Sequence, residues 1–395
     1  QWSLIMEGFT RAMTKSDETA QAGKELTDAK KYWEGRRKAE EMMKKAMIDM
    51  ENDLLGAFAP LLLPSKKLTK RGESVVTSLM RCGEGGMKKE IGREMVAISA
   101  QIEYDQFKAL VECMAVLERW SPLQVNDLLG MKKNLEKGES DKWIYPTTKL
   151  PFIFFVLSTE LSRSPWEAVS ILQEKAHSSR LISIHQLFSL LNSSHKVPYT
   201  ANPLSAFYIL DPSDNLAATK NRLTPIVERV PSWKGVTGRA PDKYQVGSII
   251  TENDFFIFLG HGDGFKHLSR SVIRKTRCKS VVLLMGCSSV HTVHEGRGMD
   301  GKGAVIDYSV ASCPCLVGCI YTVTDGEIDK YFTAFVNEGL ARHLNHKDDL
   351  TPSSELRLHL EAMAKARGKV KLPYLTGSTV VSYGIPIDIR VTNST

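Results

Sequence analysis

"FFIFLGHGDG", Phe255 to Gly264, is the stretch on which the second half of this chain turns. Its opening residues are apolar and aromatic, the composition of a strand buried on both faces. The strand then runs into a histidine, His261, set between Gly260 and Gly262. Glycine on both sides lets the backbone carry one imidazole around a tight tip. A second stretch, "SVVLLMGCSSVH" from Ser280 to His291, repeats the form: an apolar strand ending in Gly286-Cys287. Two neighbouring strands would each deliver one reactive side chain to the same edge of a sheet.

Outward from these two, further short apolar runs are separated by turns: "PFIFFVL", "AFYILDPSDN" and "CLVGCIYTV". Helical patterns lie between or after them, such as "EIDKYFTAFVNEGL" and "PSSELRLHLEAMAKAR". Continuous apolar strands alternating with helices predict an α/β fold, a mostly parallel sheet with flanking helices on both faces. Ligands in such folds sit beyond the carboxyl ends of the strands, where His261 and Cys287 both fall.

The first third reads differently. Met43, Met47, Met50 and Leu54 recur at helical spacing, as do Met95, Ile98 and Ile102. Such a stripe is packing between helices rather than a binding groove. Pro60 and Pro64 are expected to break the first long helix, and Gly83, Gly85 and Gly86 mark a second break. The segment "KKNLEKGESDKWIYPTTK" reads as a linker. The expected organisation is a helical bundle or insertion over 1–132, a linker over about 132–149 that leads into a part reaching 200, and the sheet domain over 201–395.

At 395 residues the chain is long enough for two domains. A formal net charge of +7, with 25% charged residues, is mildly basic, and runs such as "RRKAEEMMKK" mix both signs. That is a solvated helix face, not a nucleic-acid surface. Seven cysteines, an odd number in a long chain, point to reduced thiols and a cytosolic or nuclear setting. The longest apolar string, "LPFIFFVL", has strand length, so no membrane span is expected. The first residue is Gln1, which fits one piece of a longer polypeptide.

A thiol protease needs a thiol, an imidazole that takes and returns its proton, and amide donors for the oxyanion. Cys287 and His261 supply the first two. The amides of Gly262 and Cys287 are the candidate oxyanion donors, with no Cβ at Gly262 to obstruct a substrate carbonyl. Singly, a cysteine after a strand is more often a small buried hydrophobe; the pair with its glycines is what carries the chemistry.

The ordered motifs "LSRSPWEAV", "YILDPSDNL", "WKGVTGRAP", "FLGHGDGFKHL", "LLMGCSSV", "SCPCLVGCIYTVTDGEID" and "VSYGIPIDIR" resemble the protease domain of the separase family over about 150–390. One departure is Tyr321 in "CIYTVTD", where the family pattern reads "LWDVTD". The resemblance implies a caspase-like fold with His261 as proton shuttle and Cys287 as nucleophile. It implies cleavage after arginine in E-x-x-R sites of the cohesin kleisin subunit, with Asp325 of the "VTD" motif as carboxylate partner of the arginine. Asp325 also fits a helix N-cap, and Asp329 is the fallback acid, expected on a solvent-facing first turn. Securin is the implied inhibitory partner, bound as a pseudosubstrate, and the resemblance implies a docking and support role for the helical region 1–132, the start of a substrate-binding or pseudoprotease part over 133–200 and the caspase-like protease domain over 201–395. Neither a cofactor nor a metal is implied. The implied locations are cytoplasm and nucleus, with chromosomes, spindle or centrosome during division. The alternative is a caspase-like scaffold that has lost activity.

Two further patterns are set aside. "GRGMDG", Gly296 to Gly301, has dinucleotide-loop spacing, but it follows "CSSVHTVHE", a loop and not a strand. "CPCLVGC", Cys313 to Cys319, lacks paired metal-knuckle spacing, and its thiols are read as buried and structural, although His291 and His294 lie upstream.

Overall fold

The computed structural model describes residues 2–22, 29–63, 66–81, 87–136, 144, 151–192, 199–293, 301–341 and 359–392. Helices α1 (Trp2–Ala22) and α2 (Ala29–Asp49) open the chain. Next come α3 (Lys70–Arg81), α4 (Lys89–Ser99), α5 (Tyr104–Leu117) and α6 (Pro122–Glu136). After them the chain alternates strands and helices: β1 (Phe152–Val156), α7 (Ser170–Lys175), β2 (His177–Leu181), α8 (Ile184–Asn192), β3 (Tyr199–Ala201), β4 (Ala206–Leu210), α9 (Ala217–Val227), β5 (Lys234–Thr237) and α10 (Val246–Glu252). The series continues with β6 (Phe255–Leu259), α11 (Arg270–Lys275), β7 (Val281–Leu284), α12 (Ala304–Val310), β8 (Cys315–Cys319), α13 (Asp325–Phe335), α14 (His359–Arg367), β9 (Val380–Gly384) and β10 (Ile387–Ile389).

Eight strands form one sheet in the order β1-β2-β9-β8-β7-β6-β4-β5. The run β8-β7-β6-β4-β5 is parallel throughout, and β9 joins β8 antiparallel. β3 and β10 pair separately as a parallel ribbon. The sheet is therefore mostly parallel with flanking helices, as expected. Every residue of β6, β7 and β8 is buried. This is why these strands read as unbroken apolar runs: with helices on both faces, neither side of the pleat meets water.

The described residues divide into two compact units. One holds Ile48–Ile153 and Val169–His177, together with the first two residues; the other holds Ser3–Met47, Phe154–Ala168 and Ser178–Thr395. These boundaries differ from the expected divisions at 132 and 200: most of α1 and α2 belongs to the unit that contains the sheet. The reason lies in their buried faces. Ile5, Phe9, Ala39, Met43 and Met47 are at most 5% exposed, and Glu40 accepts the Tyr374 and Leu375 amides at 2.8 and 2.7 Å.

The methionine stripe is core, since Met43, Met47, Met50 and Met95 are all buried. Helix α2 ends at Asp49 and passes through wide turns, and Pro60 sits in a tight turn over Gly56–Leu62. Pro64, the break at Gly83–Gly86 and most of the linker reading at 132–149 lie outside the described residues; within that segment only Ile144 is placed beyond α6, bridged to Leu68. Among the described residues no helix is long and apolar enough to cross a membrane.

Candidate active site

β6 and β7 are adjacent and parallel, with Phe258 beside Leu284, so their carboxyl ends lie together. Met285 N donates to Phe258 O at 2.9 Å, which keeps the chains paired one residue past β7. Beyond that point the two tips meet backbone to backbone. A Cβ built on Gly286 would lie 2.1 Å from Gly262 O and 2.6 Å from Gly260 O. Only glycine fits there. The residue after Gly286 is Cys287, and the residue between Gly260 and Gly262 is His261. The contact therefore brings the thiol-bearing and imidazole-bearing turns side by side.

His261 is exposed at its tip. Gly262 has φ +65°, a left-handed conformation, and the place its Cβ would take has no neighbour within 4 Å. The loop is braced from behind. Arg270 of α11 bonds Asp263 at 3.2 Å and lies 4.1 Å over the Phe265 ring, while Asp263 accepts the Phe265 amide at 3.1 Å. Neither Asp263 nor Arg270 stood out in the sequence; the HGDG spacing hints at a built turn but not at its brace.

Cys287 is half-buried. Its Sγ donates to Val323 O at 3.0 Å, and the Ser288 amide donates to Tyr321 O at 2.9 Å. Ser288 takes φ +51° to make this turn. Burial pushes the Cys287 thiol up, the Val323 backbone acting as a donor toward the sulfur pulls against it, and the negative charges of Asp325 and Asp17 add to the rise. The shift favours the protonated thiol, so a base is needed to take its proton.

Asp325 is the first residue of α13 and is exposed. The N-cap position belongs to Thr324, not to Asp325 as one sequence reading had it. Asp325 lines a small pocket with Leu216, Leu259, Gly260, Met285 and Asp329, beside the tips of β6 and β7. Asp329 departs from expectation more sharply. It is 4% exposed, not solvent-facing. Arg222 of α9 pairs with it at 2.6 Å, and the Thr219 hydroxyl donates to it at 3.0 Å. The position four residues after Asp325 falls on the inner face of α13, against α9, which the sequence alone could not orient. The Asp329 carboxylate is thus already held by an internal arginine, and Asp325 is the acid left facing outward.

A second thiol–imidazole pair exists. Cys315 Sγ lies 3.4 Å from His359 Nε2, and Ser382 Oγ lies 2.9 Å from the same nitrogen. The Ile387 amide donates to His359 Nδ1 at 3.1 Å, which fixes the ring with its proton on Nε2. Cys315 and His359 are both fully buried, and burial pushes the Cys315 thiol far up. No substrate reaches that pair, which ties β8, β9 and α14 together. Cys313 and Cys319 are buried too. Of "GRGMDG", only Gly301 is among the described residues.

Comparison with known proteins gives the family and the fold. Residues 1–328 match the family described as "Separin, protease domain". The separin of Mus musculus is 27% identical over 373 residues, covering 92% of this chain and 16% of its own length. The separin of Schizosaccharomyces pombe is 24% identical over 408 residues, covering 95% and 22%. The chain thus spans a fifth or so of these relatives. The fold matches separase in the crystal structure of the Saccharomyces cerevisiae separase–securin complex at 3.0 Å resolution, with TM-score 0.81 at 17% identity, covering 98% of this chain and 27% of that one. The chain belongs to the separin protease-domain family.

Proposed function

We propose that this chain is a thiol endopeptidase that cuts after arginine in E-x-x-R segments of the cohesin kleisin subunit. The observation that carries the reading is the contact of Gly286 with Gly260 and Gly262, which sets His261 and Cys287 on touching turns. In this reading His261 takes the Cys287 proton as sulfur attacks the carbonyl carbon of the arginine. The Gly262 and Cys287 amides face the developing oxyanion. His261 then returns the proton to the departing amine, and water releases the acyl group by the reverse exchange.

Asp325 pairs with the arginine side chain, since Asp329 is already committed to Arg222. That pairing has a second effect. Asp325 opposes ionisation of Cys287 by its charge, and a bound guanidinium cancels that charge. Arginine would therefore assist formation of the nucleophile as well as fill the pocket.

Securin accompanies separase in the yeast complexes. For this chain an inhibitor of that kind is proposed to lie extended along the same cleft and over the helical region, uncut. Such a disordered partner covers much surface at modest affinity per unit area. Action in the nucleus and cytoplasm and on dividing chromosomes follows the same reading.

The test is cleavage of a peptide with E-x-x-R and a reporter after the arginine. The expected result is turnover by the native chain and none by Cys287→Ser. Turnover that survives Cys287→Ser, or a native chain that is inert once freed of any inhibitor, overturns the proposal.

A further inference from the structure

The turn that carries His261 contains two left-handed glycines, Gly262 at φ +65° and Gly264 at φ +80°. Glycine gives such a turn its shape but no stiffness. The one side chain between them is Asp263. Its Oδ1 accepts the Phe265 amide at 3.1 Å, and its Oδ2 accepts Nη2 of Arg270 at 3.2 Å. Arg270 opens α11, where the N-cap Ser269 side chain accepts the Val272 amide. The same guanidinium has two further anchors. Its Nη1 lies 3.3 Å from Oδ2 of Asp307 on α12, a side chain 5% exposed, and its face lies 4.1 Å over the Phe265 ring. Phe265 stacks in turn on the fully buried Tyr308 ring, with centroids 6.4 Å apart. Arg274 also reaches Asp307, at 3.5 Å.

Two carboxylates thus share one guanidinium, the first on the His261 turn and the second fixed in α12. The planar fork of arginine serves both at once, whereas an ammonium is a point charge. Without the arginine, Asp263 and Asp307 face each other as like charges, and the turn is pushed off its seat. The Arg270 side chain is 47% exposed, so its pairs add little to global stability. Their effect is local, on where the turn sits.

We infer that Arg270 is a positioning residue for His261, seating the imidazole-bearing turn by bridging Asp263 to Asp307 of α12. The inference rests on His261 being the proton carrier for Cys287. Arg270 moves no proton itself; it acts through Asp263, two residues along the chain from the imidazole. A misplaced imidazole lowers the rate of the chemical step and leaves binding of a short peptide intact.

The experiment uses the 395-residue chain with Arg270→Gln, Arg270→Lys, Arg274→Gln and the double variant Arg270→Gln with Asp263→Asn. Arg270→Gln is expected to lower kcat on an arginine reporter peptide roughly tenfold, with KM changed less than about twofold and Tm changed little. Arg270→Lys keeps the charge but not the fork, and stays about threefold below native. The double variant turns over about threefold faster than Arg270→Gln alone, because the facing like charges are gone. Arg274→Gln weakens the hold on Asp307 but leaves the Arg270–Asp263 bond in place, and keeps kcat within about twofold of native. A second readout is the His261 Cε1–H resonance in a proton–carbon NMR spectrum, identified by its absence in His261→Ala. It shifts or broadens in Arg270→Gln and stays in place in Arg274→Gln.

Native kcat and an unmoved His261 resonance in Arg270→Gln overturn the inference. So does a loss that Arg274→Gln shares in full and Asp263→Asn fails to relieve, which would make Arg270 a fold residue only. A native chain that cleaves no arginine peptide sinks the proposed function, yet the His261 resonance still decides whether Arg270 seats the turn.

Discussion

Gly286 abuts Gly262 so closely that a Cβ on the first would lie 2.1 Å from the carbonyl oxygen of the second. The obstacle is backbone, not a side chain that could swing away. Gly286→Ala must therefore push the Cys287 turn and the His261 turn apart. The expected outcome is a fall in kcat of about 100-fold, as for a misplacement near 1 Å, with a Tm that drops modestly. An alanine variant of near-native kcat would mean that the two turns need not touch for turnover.

The two thiol–imidazole pairs make opposite predictions. Cys287→Ser is expected to abolish cleavage and labelling by an arginine-bearing acyloxymethyl ketone. Cys315→Ser should keep both, since Cys315 and His359 are sealed in the core. Its cost should appear in thermal unfolding instead. Labelling found at Cys315 by mass mapping of the folded chain would reverse the assignment.

Asp325 and Asp329 also separate. Asp325→Asn should lower kcat/KM for an arginine peptide by ~30-fold, about 2 kcal/mol, as one partner of a charged pair is neutralised. A neutral residue in place of the arginine should show little difference between the two forms. Asp329→Asn releases Arg222 and should leave the arginine preference in place. Equal losses on both peptides for Asp325→Asn would point to a defect at the start of α13 rather than in recognition.

The pH dependence follows from the direction of the thiol shift. Burial and the charges of Asp325 and Asp17 favour the protonated thiol, so ionisation is displaced to higher pH. Alkylation of Cys287 should therefore have a midpoint above about 8.5, the ordinary thiol value. Asp325→Asn, or saturation with an arginine amide, removes a charge that opposes the thiolate and should move that midpoint down. An upward movement in either case contradicts the electrostatic account.

Stability has its own marker in Glu167 and Arg180. The pair is 1% exposed on both sides and bidentate, with Nε to Oε1 at 2.6 Å and Nη2 to Oε2 at 2.7 Å. Arg180 also donates to Ser162 O at 2.5 Å and Ser164 O at 2.7 Å, which folds the "LSRSPWEAV" segment onto β2. Glu167→Gln leaves a buried guanidinium charge uncompensated and should cost roughly 3–5 kcal/mol by denaturant unfolding. A loss below about 1 kcal/mol would mean that water reaches the pair.

The sequence by itself determined the sheet and the two reactive turns. Phe255–Leu259 and Val281–Leu284 are apolar without alternation because both faces of each strand are covered, and that requirement is written directly into composition. His261 and Cys287 were legible for a related reason: glycine next to a reactive side chain is a backbone requirement, and such requirements are local. What the sequence could not carry was anything set by partners far along the chain. Asp329 reads as a surface acid until α9 brings Arg222 to it, and α1 and α2 read as a separate region until Glu40 meets the Tyr374 and Leu375 amides. Periodicity gives the spacing of an element's faces but not what each face will meet; only packing decides that, and packing here set which acid is free and which residues hold the thiol.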